Sequence, residues 1–153
     1  MDWPFYWRHG VIIPGNQPHF KRIIPAASAI VMHNRKVLFI QRAQELGRGK
    51  WAFPGGSFKG DRTAQEVAKR EVKEEAGLDI KTLRLLGTYS TWEYDPNYEI
   101  SCFVAESEED KVTPSSEVMD WKWLDPAEGL DLDLTKTVCQ ALEDFLKELA
   151  ENC

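Results

Sequence analysis

Thr63 and Gly77 bracket the segment that most limits what this chain can become. Thr63 and Glu66 stand in capping-box register, which opens a helix, and Gly77 sits where a left-handed residue ends one. Between them Ala64, Ala68, Val72 and Ala76 form a small apolar stripe, while Glu71, Glu74 and Glu75 crowd the neighbouring face at spacings of three and four. Such a helix packs its stripe into a core and holds three carboxylates at the rim of that contact.

As plain structure the acid cluster is unfavourable. Like charges at this spacing repel, and acids in a last turn oppose the helix dipole, each by roughly 0.3–1 kcal/mol. A set of carboxylate oxygens suits a hard cation such as Mg²⁺ or Mn²⁺, which would offset the repulsion. The competing reading is a solvated acidic face balanced by Lys69, Arg70 and Lys73.

The rest of the chain supplies a sheet for this helix. Ala26 to Met32 and Lys36 to Ala43 are rich in β-formers around His33-Asn34-Arg35 and predict a hairpin. Trp51-Ala52-Phe53 predicts a short strand stopped by Pro54-Gly55-Gly56. Leu83 to Glu93 and Tyr98 to Glu106 flank the turn signal Asp95-Pro96-Asn97 and predict a second hairpin. Residues 107 to 117 are polar and read as a loop. Val118 to Leu124 alternates as another strand, with Trp121 and Trp123 on one face. Val138, Leu142, Phe145, Leu146 and Leu149 then recur at helical spacing. Strands and helices interleave without a βαβ rhythm, so the fold class is α/β with a mixed sheet. Residues 1 to 21, aromatic and punctuated by Pro4, Pro14 and Pro18, read as an extended arm that could cover a sheet edge or a dimer seam, and residues 22 to 153 as one domain.

Composition narrows the function. The 153 residues carry 19 basic and 25 acidic side chains, a formal charge of -6, which argues against a broad nucleic-acid footprint. A small anionic ligand remains compatible, because a bound metal overrides the mean charge locally. No window approaches a membrane span or a signal-peptide core. Cys102, Cys139 and Cys153 are widely spaced without a CxxC pair, which points to a reducing, cytoplasmic setting.

Taken together, Gly56 and the run Arg70-Glu71-Val72-Lys73-Glu74-Glu75-Ala76-Gly77-Leu78 resemble the Nudix box. Its pattern is Gly, five residues, Glu, seven residues, then Arg-Glu-aliphatic-x-Glu-Glu-x-Gly-aliphatic. Gly56, Arg70, Glu71, Val72, Glu74, Glu75, Gly77 and Leu78 fall in unbroken register. The hairpin before the box and Trp123-Leu124-Asp125 after it extend the likeness over residues 22 to 148. The departure is Arg62, where the family carries its first Glu. That Glu is mainly a partner of the box arginine, a role open here to neighbouring Asp61 or to Glu66, four residues before Arg70.

The resemblance implies a Nudix-type α/β/α sandwich and a metal-dependent hydrolase of nucleoside diphosphate derivatives. Glu71, Glu74 and Glu75, with the backbone carbonyl of Gly55, would hold one to three Mg²⁺ or Mn²⁺ ions, and Arg70 would orient the glutamates. The base is a box glutamate or a downstream acid: Glu117 first, then Asp120, then Glu106, Glu108, Glu109 or Asp110. Arg42, at the end of the second strand, could reach a phosphate or a surface acid. Phe20 to Gly56 looks most like members acting on ADP-ribose or related dinucleotides. The alternatives are a nucleoside triphosphate pyrophosphohydrolase and a non-catalytic nucleotide sensor. The expected partner is a small nucleotide, with no nucleic acid and no membrane, and the apolar arm suggests a homodimer.

Overall fold

The computed structural model describes residues 5–8, 11–14, 22–94 and 96–152. In the arm, β1 (Phe5–Arg8) and β2 (Val11–Pro14) pair antiparallel as a two-stranded sheet of their own. The arm's suggested role at a sheet edge or dimer seam lies outside the described residues.

The main sheet begins with β3 (Ile23–His33) and β4 (Lys36–Arg42), joined by a two-residue turn. Asn34 and Arg35 both take positive φ, 49° and 66°, which matches the right-handed twist of the flanking strands. β3 and β4 pair only near this turn, at Met32 with Val37 and His33 with Lys36, and then part to find other neighbours. The short β5 (Trp51–Ala52) joins β4.

Gly55–Ser57 corrects one expectation. It is not a turn but a strand, β6, antiparallel to Ala26–Ser28 of β3. The physical reason is clearance: a Cβ on Gly55 would stand 2.6 Å from the Ala27 carbonyl oxygen and 2.9 Å from Ser28 Cα. Only glycine lets the two backbones approach so closely.

The box helix, α1 (Ala64–Ala76), has the expected ends. Thr63 Oγ1 accepts from the Glu66 amide at 3.2 Å, while Gly77 at φ 73° donates its N–H to Lys73 O. The return bond of the capping box falls one residue earlier than its register suggests, because Glu66 Oε2 accepts from the Arg62 amide at 2.9 Å. β7 (Ile80–Ser90) and β8 (Asn97–Ser107) form the second hairpin, ending before Trp92 and Glu93. β8 lies parallel to β3 from Ile23↔Asn97 to Met32↔Glu106, which makes the sheet mixed. β9 (Val118–Leu124) pairs antiparallel with β4. A short 3-10 helix (Pro126–Asp131), absent from the sequence reading, is opened by an Asp125/Glu128 capping box. α2 (Lys136–Glu151) closes the chain.

Alternation along the strands sends side chains to two cores, one on each face of the sheet. Ala27, Ala29 and Val31 of β3 meet Val67, Ala68, Val72 and Ala76 of α1. Ile30, Val37 and Phe39 meet Val138, Ala141, Leu142 and Phe145 of α2. Leu142 and Phe145 are fully or almost fully buried, and each such side chain contributes about 1.5–3 kcal/mol. The result is an α/β/α sandwich. Trp51 lies in the second core and Trp123 packs against the first, whereas Trp121, two residues away on the same strand, stays 38 % exposed on β9. Among the described residues no helix is long and apolar enough to cross a membrane.

Candidate metal centre

The site lies where α1, β6 and the start of β9 converge. The helix period puts Glu71 and Glu75 on the face that packs against β6, leaving them 3 % and 6 % exposed. Gly56 makes room for Glu71, since a Cβ there would stand 2.5 Å from Glu71 Cδ. The Gly55 amide donates to Glu75 Oε2 at 2.9 Å. A third acid arrives from the loop before β9. Two backbone bonds, Thr113 N–H to Ala76 O and Ser115 N–H to Glu75 O, fasten that loop to the end of α1. The Ala43 amide then donates to Glu117 O. One carboxylate oxygen each from Glu71, Glu75 and Glu117 lie within 4.8 Å of one another.

Such proximity in a dry setting penalises charge. The Glu75 carboxyl is pushed up to about 8, first by burial and then by Glu71, with Glu117 adding to the repulsion. The Gly55 amide and Arg42 only partly offset this. Glu71 is likewise raised by burial, against the pull of Arg70.

Arg70 ties the surroundings together. Its Nε reaches Asp61 Oδ1 at 3.0 Å and its Nη2 reaches Asp61 Oδ2 at 2.7 Å and Ser57 O at 3.0 Å. Its Nη1 donates to Glu71 Oε1 at 2.7 Å and to Glu74 Oε2 at 3.3 Å. The guanidinium, helped by the Lys59 amide, holds the Asp61 carboxyl down at about 2. Asp61 thus occupies the place that Arg62 leaves open, and Glu66 is engaged elsewhere.

The residues singled out from sequence are therefore distributed unevenly. Glu71, Glu75 and Glu117 come together, with Gly55 and Arg70 in direct hydrogen bonds to the cluster. Glu74 stands outside it on Arg70, with 52 % of its side chain exposed. Arg42 is tied to the following loop through Nε to Leu46 O at 2.8 Å, yet its charge is felt by Glu75. Asp120 is exposed and accepts from the Trp121 amide. Glu108 pairs with Lys81. The sequence reading missed Lys59, whose Nζ lies 4.0 Å from Glu71 Oε1; a lysine in an exposed loop carries no local signal of that contact.

These donors fit a divalent cation. All three are carboxylates, burial leaves the charged forms of Glu71 and Glu75 under-compensated, and the 4.8 Å spread of the three is comparable to the roughly 4 Å across a Mg²⁺ coordination sphere.

Comparison with known proteins agrees with the fold. The profile of the NUDIX domain matches residues 23–148. Over 79 residues the chain is 37 % identical to an ADP-ribose pyrophosphatase of Methanocaldococcus jannaschii, covering 52 % of this chain and 47 % of that one. Over 125 residues it is 27 % identical to the NAD-capped RNA hydrolase NudC of Vibrio atlanticus, covering 81 % and 45 %. The chain thus spans about half the length of these curated relatives. Among solved structures it is similar to the NUDIX domain of Shewanella oneidensis NrtR complexed with ADP ribose, with a TM-score of 0.73 at 23 % identity over 87 % of this chain and 93 % of that one. A C. elegans Ap4A hydrolase gives 0.69 at 20 % identity, over 84 % and 98 %. At these identities the two structures speak for the fold.

Proposed function

The chain belongs to the NUDIX domain family, and from that premise we propose that it hydrolyses the diphosphate linkage of a nucleoside diphosphate derivative, ADP-ribose or a related dinucleotide, with Mg²⁺ or Mn²⁺. The observation that carries this reading is the convergence of Glu71, Glu75 and Glu117, two of them buried, on one point. A divalent cation bound there would neutralise diphosphate charge and acidify a nearby water.

The chain's own groups then divide the work. Glu71 and Glu75 would hold the cation, joined by the Gly55 carbonyl and faced by Glu117, while Glu74, held on Arg70 outside the cluster, would join the donor set only by turning inward. Glu117, on the opposite wall, takes a proton from the attacking water as a new O–P bond forms and the bridging P–O bond breaks, its electron pair leaving with the other phosphate. Arg70 fixes the Glu71 carboxylate and is itself fixed by Asp61. Arg42 faces the same acids and offers a guanidinium to substrate phosphate. A non-catalytic sensor would be favoured if the Arg62 departure left Arg70 without its acidic partner, and the Asp61–Arg70 pair supplies that partner.

The choice of substrate leans on the ADP-ribose pyrophosphatase likeness and on the Phe20 to Gly56 stretch. Initial rates on ADP-ribose, NADH, FAD, a sugar nucleotide and dNTPs, with Mg²⁺ and then Mn²⁺, test it. Fastest turnover is expected on ADP-ribose or a dinucleotide. A dNTP preference would move the assignment to triphosphate pyrophosphohydrolysis. Ligand-dependent melting without hydrolysis of any substrate would replace it with a sensor.

A further inference from the structure

We propose that Lys59 exchanges partners at the acid cluster: its ammonium is a counter-ion to Glu71 in the metal-free chain and a ligand of substrate phosphate once a divalent cation is bound. The inference rests on the hydrolase reading and adds to it a substrate-binding residue.

Lys59 lies in the loop between β6 and α1, and its backbone is fixed there. Phe58 before it packs against the core that α1 shares with β3. The Lys59 amide donates to Asp61 Oδ2 at 2.9 Å, on the carboxylate that Arg70 grips. The side chain is free by comparison. It is 61 % exposed, and its Nζ stands 4.0 Å from Glu71 Oε1, close enough for an ion pair and too far for a hydrogen bond. That oxygen already accepts from Arg70 Nη1 at 2.7 Å, so Lys59 is the second cation on it and the more loosely held. Among the described residues Lys59 Nζ makes no hydrogen bond. Lys50 and Lys73 differ, since they reach exposed carboxylates at 3.1 and 3.4 Å.

Charge supplies the reason for the exchange. Burial raises the Glu71 carboxyl, and Lys59, after Arg70, works against that rise, so the ammonium is felt inside the cluster. A divalent cation held by Glu71, Glu75 and Glu117 would repel an ammonium so near to Glu71 and take over its role. A long exposed side chain on a fixed backbone then swings toward solvent, the side from which a diphosphate arrives. The centre still needs positive charge at that point, because three carboxylates outweigh one divalent cation and the diphosphate adds to the excess. Arg70 cannot supply it, its nitrogens being spent on Asp61, Ser57 O, Glu71 and Glu74. Lys59 brings three donors and a full charge, which suit a phosphate oxygen.

The test pairs two equilibrium titrations of the full chain, neither of which involves turnover. In the first, electron paramagnetic resonance follows Mn²⁺ binding without nucleotide. Lys59→Met removes the competing ammonium and should tighten Mn²⁺ about two- to fivefold, the range of an exposed ion pair. In the second, calorimetry at saturating Mn²⁺ follows α,β-methylene ADP, a nucleoside diphosphate whose bridging carbon this chemistry does not cleave. Here Lys59→Met should weaken binding about tenfold or more, as loss of a charge-assisted hydrogen bond does. Lys59→Arg should stay near wild type in both titrations. Lys69→Met makes the same change of net charge at an exposed position of α1 and should alter neither.

Opposite shifts in one variant are the signature, because a lysine that merely props the loop would move both affinities the same way or neither. Unchanged or weaker Mn²⁺ binding by Lys59→Met overturns the exchange. If wild type binds α,β-methylene ADP and Lys59→Met binds it equally well, the inference about Lys59 fails alone. If wild type binds Mn²⁺ but not the nucleotide, the hydrolase reading fails and takes the phosphate role of Lys59 with it.

Discussion

Arg70 grips Asp61 with two nitrogens, Nε on one carboxylate oxygen and Nη2 on the other, and with its remaining nitrogen holds Glu71. Asp61 therefore sets the orientation of a carboxylate it does not touch. Replacing it with Ala frees the guanidinium and is expected to lower activity about 10- to 100-fold, the range for removing a partner that orients a ligand. Arg62→Ala and Glu66→Gln, which leave that grip intact, should stay within about twofold of wild type. Steady-state rates on the preferred substrate decide it. If Glu66→Gln loses as much as Asp61→Ala, the partner of Arg70 has been misplaced.

Glu75 gives a stability prediction with a definite sign. Its carboxyl is raised from an ordinary 4.5 to about 8, chiefly by burial. Below pH 4.5 both folded and unfolded chains carry the proton, and no stability is at stake. Between 4.5 and 8 the unfolded chain has released it while the folded chain retains it, so stability falls as pH rises, by up to about 1.4 kcal/mol per unit. Above 8 both are ionised and the loss levels off. Glu71, also raised, adds to the fall. In EDTA, melting temperature should therefore drop from pH 5 to pH 8, the Glu75→Gln chain should show a shallower drop, and Mg²⁺ should recover stability most at the alkaline end. Equal slopes for the two chains would remove Glu75 as the source.

The residues that were legible in advance are those whose signals are local. Thr63 and Gly77 fix the ends of α1 by capping chemistry, and the helix period alone places Glu71 beside Glu75. Glu117 is named in advance only through the family resemblance, not by a local signal. It reaches the cluster because β9 pairs with β4 and because the loop before it is zipped to the last turn of α1, neither of which leaves a trace in nearby residues. The parallel register of β8 on β3 is hidden for the same reason, since parallel neighbours are joined by no short turn. Gly55-Gly56 shows a further limit. Glycines signal close approach, but sequence does not say whether the approaching backbone is a turn or, as here, a strand.

Glu117 on the wall opposite α1 carries a kinetic prediction. A group that only takes the proton of the attacking water should, when replaced by Gln, lower kcat by about 10²–10⁴ and leave KM nearly unchanged. Glu75→Gln should instead weaken metal activation, seen as a higher Mg²⁺ concentration for half-maximal rate. The two profiles separate a base from a ligand. A Glu117→Gln chain whose rate is recovered by more Mg²⁺ would make Glu117 a ligand, and a fully active one would leave the base to the box glutamates.

Gly56 and Gly60 separate steric from conformational reasons for glycine. A methyl group on Gly56 would sit 2.5 Å from Glu71 Cδ and 2.6 Å from its Oε1, and Glu71 has nowhere to retreat, being buried and bound to Arg70. Gly60 adopts φ +83°, with open space where its Cβ would stand. Gly60→Ala should thus cost about 1 kcal/mol of stability through backbone strain and leave kcat close to wild type. Gly56→Ala should cost about 1–3 kcal/mol through overpacking and also displace Glu71, so that activity falls well beyond what the fraction unfolded explains. Urea unfolding beside steady-state rates distinguishes them. Full activity in a folded Gly56→Ala chain would show that the position of the Glu71 carboxylate does not matter to the reaction.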